Sequence, residues 1–382
     1  GTDQPPGPPT RDASRRSLAQ PGGPFGPTAA RRTAKLAPLA AGRTAKAGRS
    51  RVNAKLALVV VALVAAAGCA SANGSTSTPA GTVEKPDLTV AVVPAVDSAG
   101  FFVALYQGLF KAQGLNVKFV PAISSETAIA DQVKGTVDIS GGNYVSYIQA
   151  QQGHQADLEI FAEGSVMLPG AQGLYTMPHS KINTLQDLIG KTVGINAPDN
   201  ILYLLVASVL SDHGIPVSKV HFKSNIPLPM MAGALKSGEI NAAVLPEPFA
   251  SQAEQADGVT ALADLDQGAT SNFPVQGYVV TRQWAAQNPR TLAAFDRALQ
   301  QGQQIADTNR HAVEMAMEDL PVKPMPLAVS APTAAIMAVD NYPIGEVDTI
   351  RLQRVADVMN QFIQFPSFNI KSMISSPSVT SP

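Results

Sequence analysis

A single cysteine, Cys69, in 382 residues excludes a disulfide framework and a cysteine-based zinc cluster, both of which need several thiols. Histidine is scarce too: His154, His179, His213, His221 and His311 show no ligand spacing such as H-x-x-x-H and read as surface groups. Neither a G-x-S-x-G nucleophile elbow nor a phosphate-cradling G-x-x-x-x-G-K-[ST] occurs. Charged residues make up only 15% and sum to −1, but that sum hides a division at the cysteine. Residues 1–69 carry eleven bases and two acids, net +9, and the body beyond carries seventeen bases and 27 acids, net −10. An acidic body has no electrostatic footprint for nucleic acid, which is bound through a Lys and Arg surplus. No cofactor motif is present.

What stands around the cysteine reads as an address. Gly1 to about Ser50 is rich in Pro, Gly, Ala and Arg without hydrophobic periodicity, and is expected to be disordered: a basic flank of an export signal, or upstream sequence that is not translated. Leu56 to Gly68 is uncharged for thirteen residues behind Arg49, Arg51 and Lys55, too short for the ~20 residues of a membrane span and the length of a signal-peptide core. Ala66-Ala67-Gly68-Cys69 resembles the lipobox of bacterial lipoproteins, with Ala66 where Leu is commonest. The resemblance implies lipidation of Cys69 and a place on the extracytoplasmic face of the bacterial cell membrane. Cleavage after Ala70-Ser71-Ala72 is the alternative, with a secreted or periplasmic product. The organisation expected is an extension over 1–50, a signal over 51–69 and a Ser/Thr/Gly tether over 70–87.

From Thr89 the pattern alternates. Thr89–Pro94, Asn116–Val120, Val137–Ser140 and Leu158–Ala162 are apolar, β-branched runs of strand length, separated by helical stretches at Gly100–Gln113, Thr127–Val133 and Tyr144–Gln152. The alternation restarts with helix Leu185–Ile189, strand Thr192–Asn196, helix Ile201–His213, strand Val220–Lys223, helix Met230–Lys236, strand Ala242–Leu245 and helix Pro248–Ala256. A strand at Tyr278–Thr281 and helices at Thr291–Asp319, Ala331–Val339 and Asp348–Phe365 follow, interrupted by a Pro-rich linker, Pro321–Pro332, and ending in a frayed tail over 375–382. Such alternation predicts an α/β fold with mostly parallel sheets, and a body of about 300 residues predicts two lobes. Lys134-Gly135-Thr136-Val137-Asp138-Ile139 has an echo in Lys236 to Ala242 (KSGEINA), which suggests that the lobes are alike.

Four segments carry a family resemblance. Gly100 to Phe110 (GFFVALYQGLF) with Gly114-Leu115-Asn116-Val117, Gly135–Ser140 (GTVDIS), Leu185 to Gly194 (LQDLIGKTVG), and Leu235–Ala242 followed by Pro246-Glu247-Pro248-Phe249 occur in the order found in substrate-binding proteins of ABC importers for nitrate, sulfonates, taurine and thiamine pyrimidine precursors. Pro246 stands where that family often has an aromatic. The resemblance, spanning Leu88 to Ile374, implies a two-lobed periplasmic-binding-protein-like (Venus flytrap, type II) fold. A small solute would be captured between the lobes and delivered to an ABC permease with its cytoplasmic ATPase. The lobes would comprise 88–177 with 271–374, and 178–270, with crossovers near Gly173–Ser180 and Gly268–Tyr278. A branch of enzymes making the thiamine pyrimidine shares this fold, but it carries a cysteine-rich iron motif that this body lacks. A lipid-tethered interaction module is a further alternative.

Open α/β sheets bind ligands beyond the carboxyl ends of their strands, which selects the candidate solute contacts. They are Asp97, Ser98, Gly100 and Phe101 after the first strand, Gly141, Gly142, Asn143 and Tyr144 after the third, and Asn196, Asp199, Asn200, Asn225 and Glu247 in the second lobe. Gly141-Gly142 reads either as a close backbone approach to a ligand or as a tight βα turn. Asp199 and Asn200 read as helix caps or contacts, Glu247 as a contact or a helix-start acid, and Tyr144 and Phe101 as stacking platforms or core. No base of the body falls in these loops whereas Asp97, Asp199 and Glu247 do, which favours a neutral or cationic solute such as an aminopyrimidine over an anion.

Overall fold

The computed structural model describes residues 82–320, 333 and 342–375. The export segment with Cys69, residues 70–81 of the expected tether, the Pro-rich linker, all but Thr333 of the expected helix Ala331–Val339 and the tail from 376 lie outside the described residues.

Two five-stranded sheets repeat one topology. The first holds β1 (Asp87–Val92), β2 (Asn116–Pro121), β3 (Ile139–Asn143), β4 (Leu158–Val166) and β10 (Pro274–Thr281) in the order β2-β1-β3-β10-β4. The second holds β5 (Gln172–Thr176), β6 (Thr192–Gly194), β7 (His221–Lys223), β8 (Ala242–Pro246) and β9 (Thr260–Asp264) in the order β7-β6-β8-β5-β9. β1, β2 and β3 are mutually parallel, as are β6, β7 and β8. One strand in each sheet, β10 or β5, runs antiparallel to both neighbours. Each of those strands is the first that the chain forms after passing from the other sheet. The passages are residues 167–171 and 265–273, so the first precedes the expected Gly173–Ser180: Gln172–Thr176 is a buried strand of the second sheet and not a linker. The passages run side by side, with the Met167 N–H donating to the Phe273 carbonyl (2.7 Å) and the Leu265 N–H to the Gln172 carbonyl (3.0 Å).

Helices cover the sheets: α1 (Ala99–Tyr106), α2 (Leu109–Ala112), α3 (Ser125–Val133), α4 (Tyr144–Gln152), α5 (Ile201–Asp212), α6 (Leu228–Lys236), α7 (Phe249–Asp257), α8 (Arg282–Gln287), α9 (Pro289–Thr308), α10 (Arg310–Glu318) and a C-terminal helix, Thr349–Ile363. The single helix expected over Gly100–Gln113 is broken at Gly108, whose φ of 71° is the left-handed conformation that stops a helix. The helix expected at Leu185–Ile189 is one 3₁₀ turn, Leu185–Leu188, closed by a Thr184–Asp187 capping box. α9 buries Ala294, Phe295, Ala298, Leu299 and Gly302, the three-to-four spacing of a core-facing stripe, and its Phe295 stacks on Phe110 at 4.6 Å.

The sequence echo has a structural counterpart. Asp138 Oδ2 accepts from the Thr89 N–H (2.9 Å) and Asn241 Oδ1 from the Thr192 N–H (3.0 Å). In both lobes the reciprocal backbone bond, Asp138 N–H to the Thr89 carbonyl and Asn241 N–H to the Thr192 carbonyl, is 2.8 Å. Each motif thus ties the loop before a strand to the strand beside it, and its Asp or Asn is spent on the scaffold.

Candidate functional site

The carboxyl ends of β1, β3 and β6 face a narrow cleft between the sheets. Its apolar walls include Ala95, Ile201, Leu202, Leu228 and Val275, and its polar side chains are Asp97, Ser125, Asn143, Gln172, Asn196, Asn200 and Gln276. The free volume is about 40 Å³, so the cleft is narrow. Direct bonds hold the lobes together. The Val96 N–H donates to the Glu247 carbonyl (3.1 Å), and Gln149 Nε2 donates to the Asp199 carbonyl (2.7 Å).

The residues singled out in the sequence separate into three groups. Asp97, Gly142, Asn143, Asn196 and Asn200 line the cleft. Asn143 caps α4 through Ser146 (2.9 Å) and donates to Ser125 Oγ (2.9 Å), while Asn200 caps α5 through Leu202 (3.1 Å) and donates to Asn196 Oδ1 (2.7 Å). Both asparagines are therefore largely committed to holding helix starts in place. Asp97 is not: its carboxylate accepts only from its own backbone and forms no ion pair among the described residues. Burial lifts its pKa to about 6, against that backbone bond.

Ser98 lies just behind the cleft. Its Oγ is 2.9 Å from Gln276 Oε1 and 3.2 Å from the Val93 carbonyl, so it orients an amide that does face the opening.

The remaining residues are turned elsewhere. Gly100 packs on α9, where a Cβ would meet Gln303 at 2.6 Å. Phe101 is wholly buried among Phe102, Phe110, Phe119 and Phe295. Tyr144 is also core: its ring fills the space over Gly277, where a Cβ would come within 2.5 Å, and burial followed by the nearby Glu163 charge pushes its phenol up. Gly141, like the cleft-lining Gly142, is a strand residue rather than part of a turn; the two pair with Tyr278 and Gly277, and their missing Cβ atoms make room for the Tyr278 ring and Ser125 Oγ. Asp199 and Asn225 are exposed and left-handed, with φ of 51° and 62°. The Glu247 carboxylate is buried and turned to α7, accepting from Ser251 Oγ (2.8 Å), the Ser251 N–H (3.2 Å) and Thr333 Oγ1 (3.4 Å). Burial raises its pKa despite these bonds. Of the three acids expected at the site, Asp97 alone lines the cleft.

Sequence reasoning missed Gln172 and Gln276. Both are nearly fully buried, and Gln172 Oε1 and Gln276 Nε2 make no hydrogen bond of acceptable geometry among the described residues. Gln172 opens β5 and Gln276 is the third residue of β10, in the matching stretches Gln172-Gly173-Leu174-Tyr175 and Gln276-Gly277-Tyr278-Val279. That repeat, a buried amide ahead of a glycine and an apolar pair, is the signal that could have found them. Among the described residues no His, Cys, Asp or Glu cluster could hold a metal, and no helix is long and apolar enough to cross a membrane.

Two similar sheets, a cleft at their strand ends and a pair of side-by-side passages define the periplasmic-binding-protein fold, and known structures agree. The alkanesulfonate-binding protein SsuA from Xanthomonas axonopodis pv. citri, bound to MOPS, is 16% identical, with a TM-score of 0.65 over 77% of this chain and 99% of that one. The periplasmic nitrate-binding protein NrtA from Synechocystis PCC 6803 is 16% identical, with a TM-score of 0.55 over 63% and 67%. Residues 81–318 match the NMT1-like family, and the chain belongs to it. A curated relative, the nitrate import ATP-binding protein NrtC of Synechocystis sp., is 24% identical over 255 residues, 61% of this chain and 37% of that protein's length. The chain therefore spans little more than a third of that relative.

Proposed function

We propose that the chain is the solute-binding component of an ABC importer. It captures a small molecule between its lobes and delivers it to the permease without chemical conversion. The observation that carries this reading is the cleft, with polar groups from both lobes at the strand ends and direct bonds joining one lobe to the other across it. Solute bound there contacts both walls at once and so favours the closed arrangement over an open one. The names of the similar structures, an alkanesulfonate-binding and a nitrate-binding protein, support the same reading. A bound solute should raise the melting temperature of the full chain and reduce its radius of gyration in solution scattering. Binding that leaves the radius unchanged, or that is accompanied by turnover, would overturn it.

Anchoring through Cys69 belongs to the same reading, because a tether keeps the binding protein at high effective concentration beside its permease. The expected result of Cys69→Ala is release from the membrane fraction of the producing cells. Retention of the variant there would place the anchor elsewhere.

A further inference from the structure

The solute class can be read from the polar groups left without partners. Three of them converge on the cleft: the unpaired Asp97 carboxylate, the Gln172 carbonyl oxygen and the Gln276 amide nitrogen. The glutamines are only 2% and 3% exposed, and a buried polar atom with no partner is costly, so these atoms have most to gain from a solute. Ser98 holds the Gln276 oxygen and leaves the nitrogen as the donor end, with the Tyr278 hydroxyl beside it outside good hydrogen-bond geometry. The cleft thus offers two acceptors, one of them a carboxylate, and one amide donor. Among the described residues no Lys or Arg lines it.

Resting on the capture reading above, we propose that the cleft takes a compact, uncharged or cationic solute bearing at least one N–H donor, which Asp97 and Gln172 accept and Gln276 complements, and that it does not take an oxyanion. Electrostatics decides against nitrate and sulfonates, because among the described residues an oxyanion would meet an unpaired carboxylate with no cation to offset it. A cation or N–H donor instead supplies the partner that Asp97 lacks, and in a water-poor cleft such a charge-assisted bond is among the stronger ones.

The test is a thermal-shift and calorimetric panel on the full chain at pH 7.5, with nitrate and ethanesulfonate against guanidinium, urea, cytosine and 4-aminopyrimidine. Stabilisation by at least one N–H-bearing solute and by neither anion is expected. Asp97→Asn should weaken that binding ten- to a hundred-fold. For a cationic solute the wild-type affinity should rise with pH between 5 and 7.5 as Asp97 ionises, while the variant stays flat. Gln276→Glu provides a second reading, since a cation should bind it at least as well as wild type. Stabilisation by nitrate or ethanesulfonate, or an N–H-bearing solute whose affinity ignores Asp97→Asn, overturns the solute class and leaves the capture reading in place. Failure of every member of the panel to stabilise the chain overturns the solute class. Failure of the capture reading shows separately, as turnover or an unchanged radius on binding.

Discussion

Asp97 sits where the needs of folding and of binding diverge. An aspartate in an unfolded chain titrates near 3.8, and in the folded cleft burial lifts this group to about 6. The folded state therefore holds the proton more tightly than the unfolded state. Asp97's contribution to stability is most favourable below pH 4, declines as pH rises from about 4 to 6, and is constant above. Without solute, Asp97→Asn should be more stable than wild type at pH 7.5 by about 1–3 kcal/mol, given roughly 1.4 kcal/mol for each unit of displacement. The two proteins should converge near pH 3.5. Urea unfolding across pH 3.5–8 checks this, and a variant less stable than wild type at neutral pH would mean that the carboxylate has a structural partner. Glu247 shows why an acid at a strand end is not by itself a contact: it lies beside the cleft in sequence, yet its carboxylate is spent on Ser251 and Thr333.

At the scale of elements, the C-terminal helix straps the molecule together. It packs on α4 of the first lobe and α5 of the second, and its Arg354 guanidinium donates to the carbonyls of Ala269 (2.8 Å), Ser271 (2.6 Å) and Asn272 (3.2 Å). It also stands 5.7 Å over the Phe273 ring. All four residues belong to the second passage between lobes. Arg354→Ala should accelerate amide exchange across 265–273 and cost about 2–3 kcal/mol, the loss of several bonds from a charged donor. Arg354→Lys should recover only part of this, since one ammonium cannot reproduce the planar fork. Exchange confined to the helix itself would show that the strap does not govern the passage. The parallel strands were legible in the sequence because apolar, β-branched runs begin just after helix-ending glycines such as Gly114 and Gly135. β5 was not, because QGLYT reads as linker until its pairing with β8 and β9 is known. For the same reason the loop residues Asp97, Asn143 and Asn196 could be named in advance, whereas Gln172 and Gln276 could not: a buried strand glutamine acquires its meaning from the opposite lobe.

For the molecule as a whole, closure rests on a few bonds between lobes. Gln149 Nε2 reaching the Asp199 carbonyl is one that can be removed without disturbing either core, since both residues lie at the surface of their lobes. Gln149→Ala should shift the population toward open forms and weaken solute binding about two- to ten-fold, the worth of one net hydrogen bond. A larger radius in solution scattering without solute, with an unchanged melting temperature for each lobe's core, is the expected signature. Unchanged scattering and affinity would mean that the contact forms without biasing closure. The bond from Leu265 to Gln172 has a genetic consequence. It brings the two ends of 172–264 together, so the second lobe is one uninterrupted cassette inserted into the first. Exchanging that stretch with another family member's would graft a new wall carrying positions 172, 196 and 200 while keeping Asp97 and Gln276 opposite. Specificity in this architecture can therefore be recombined one half at a time.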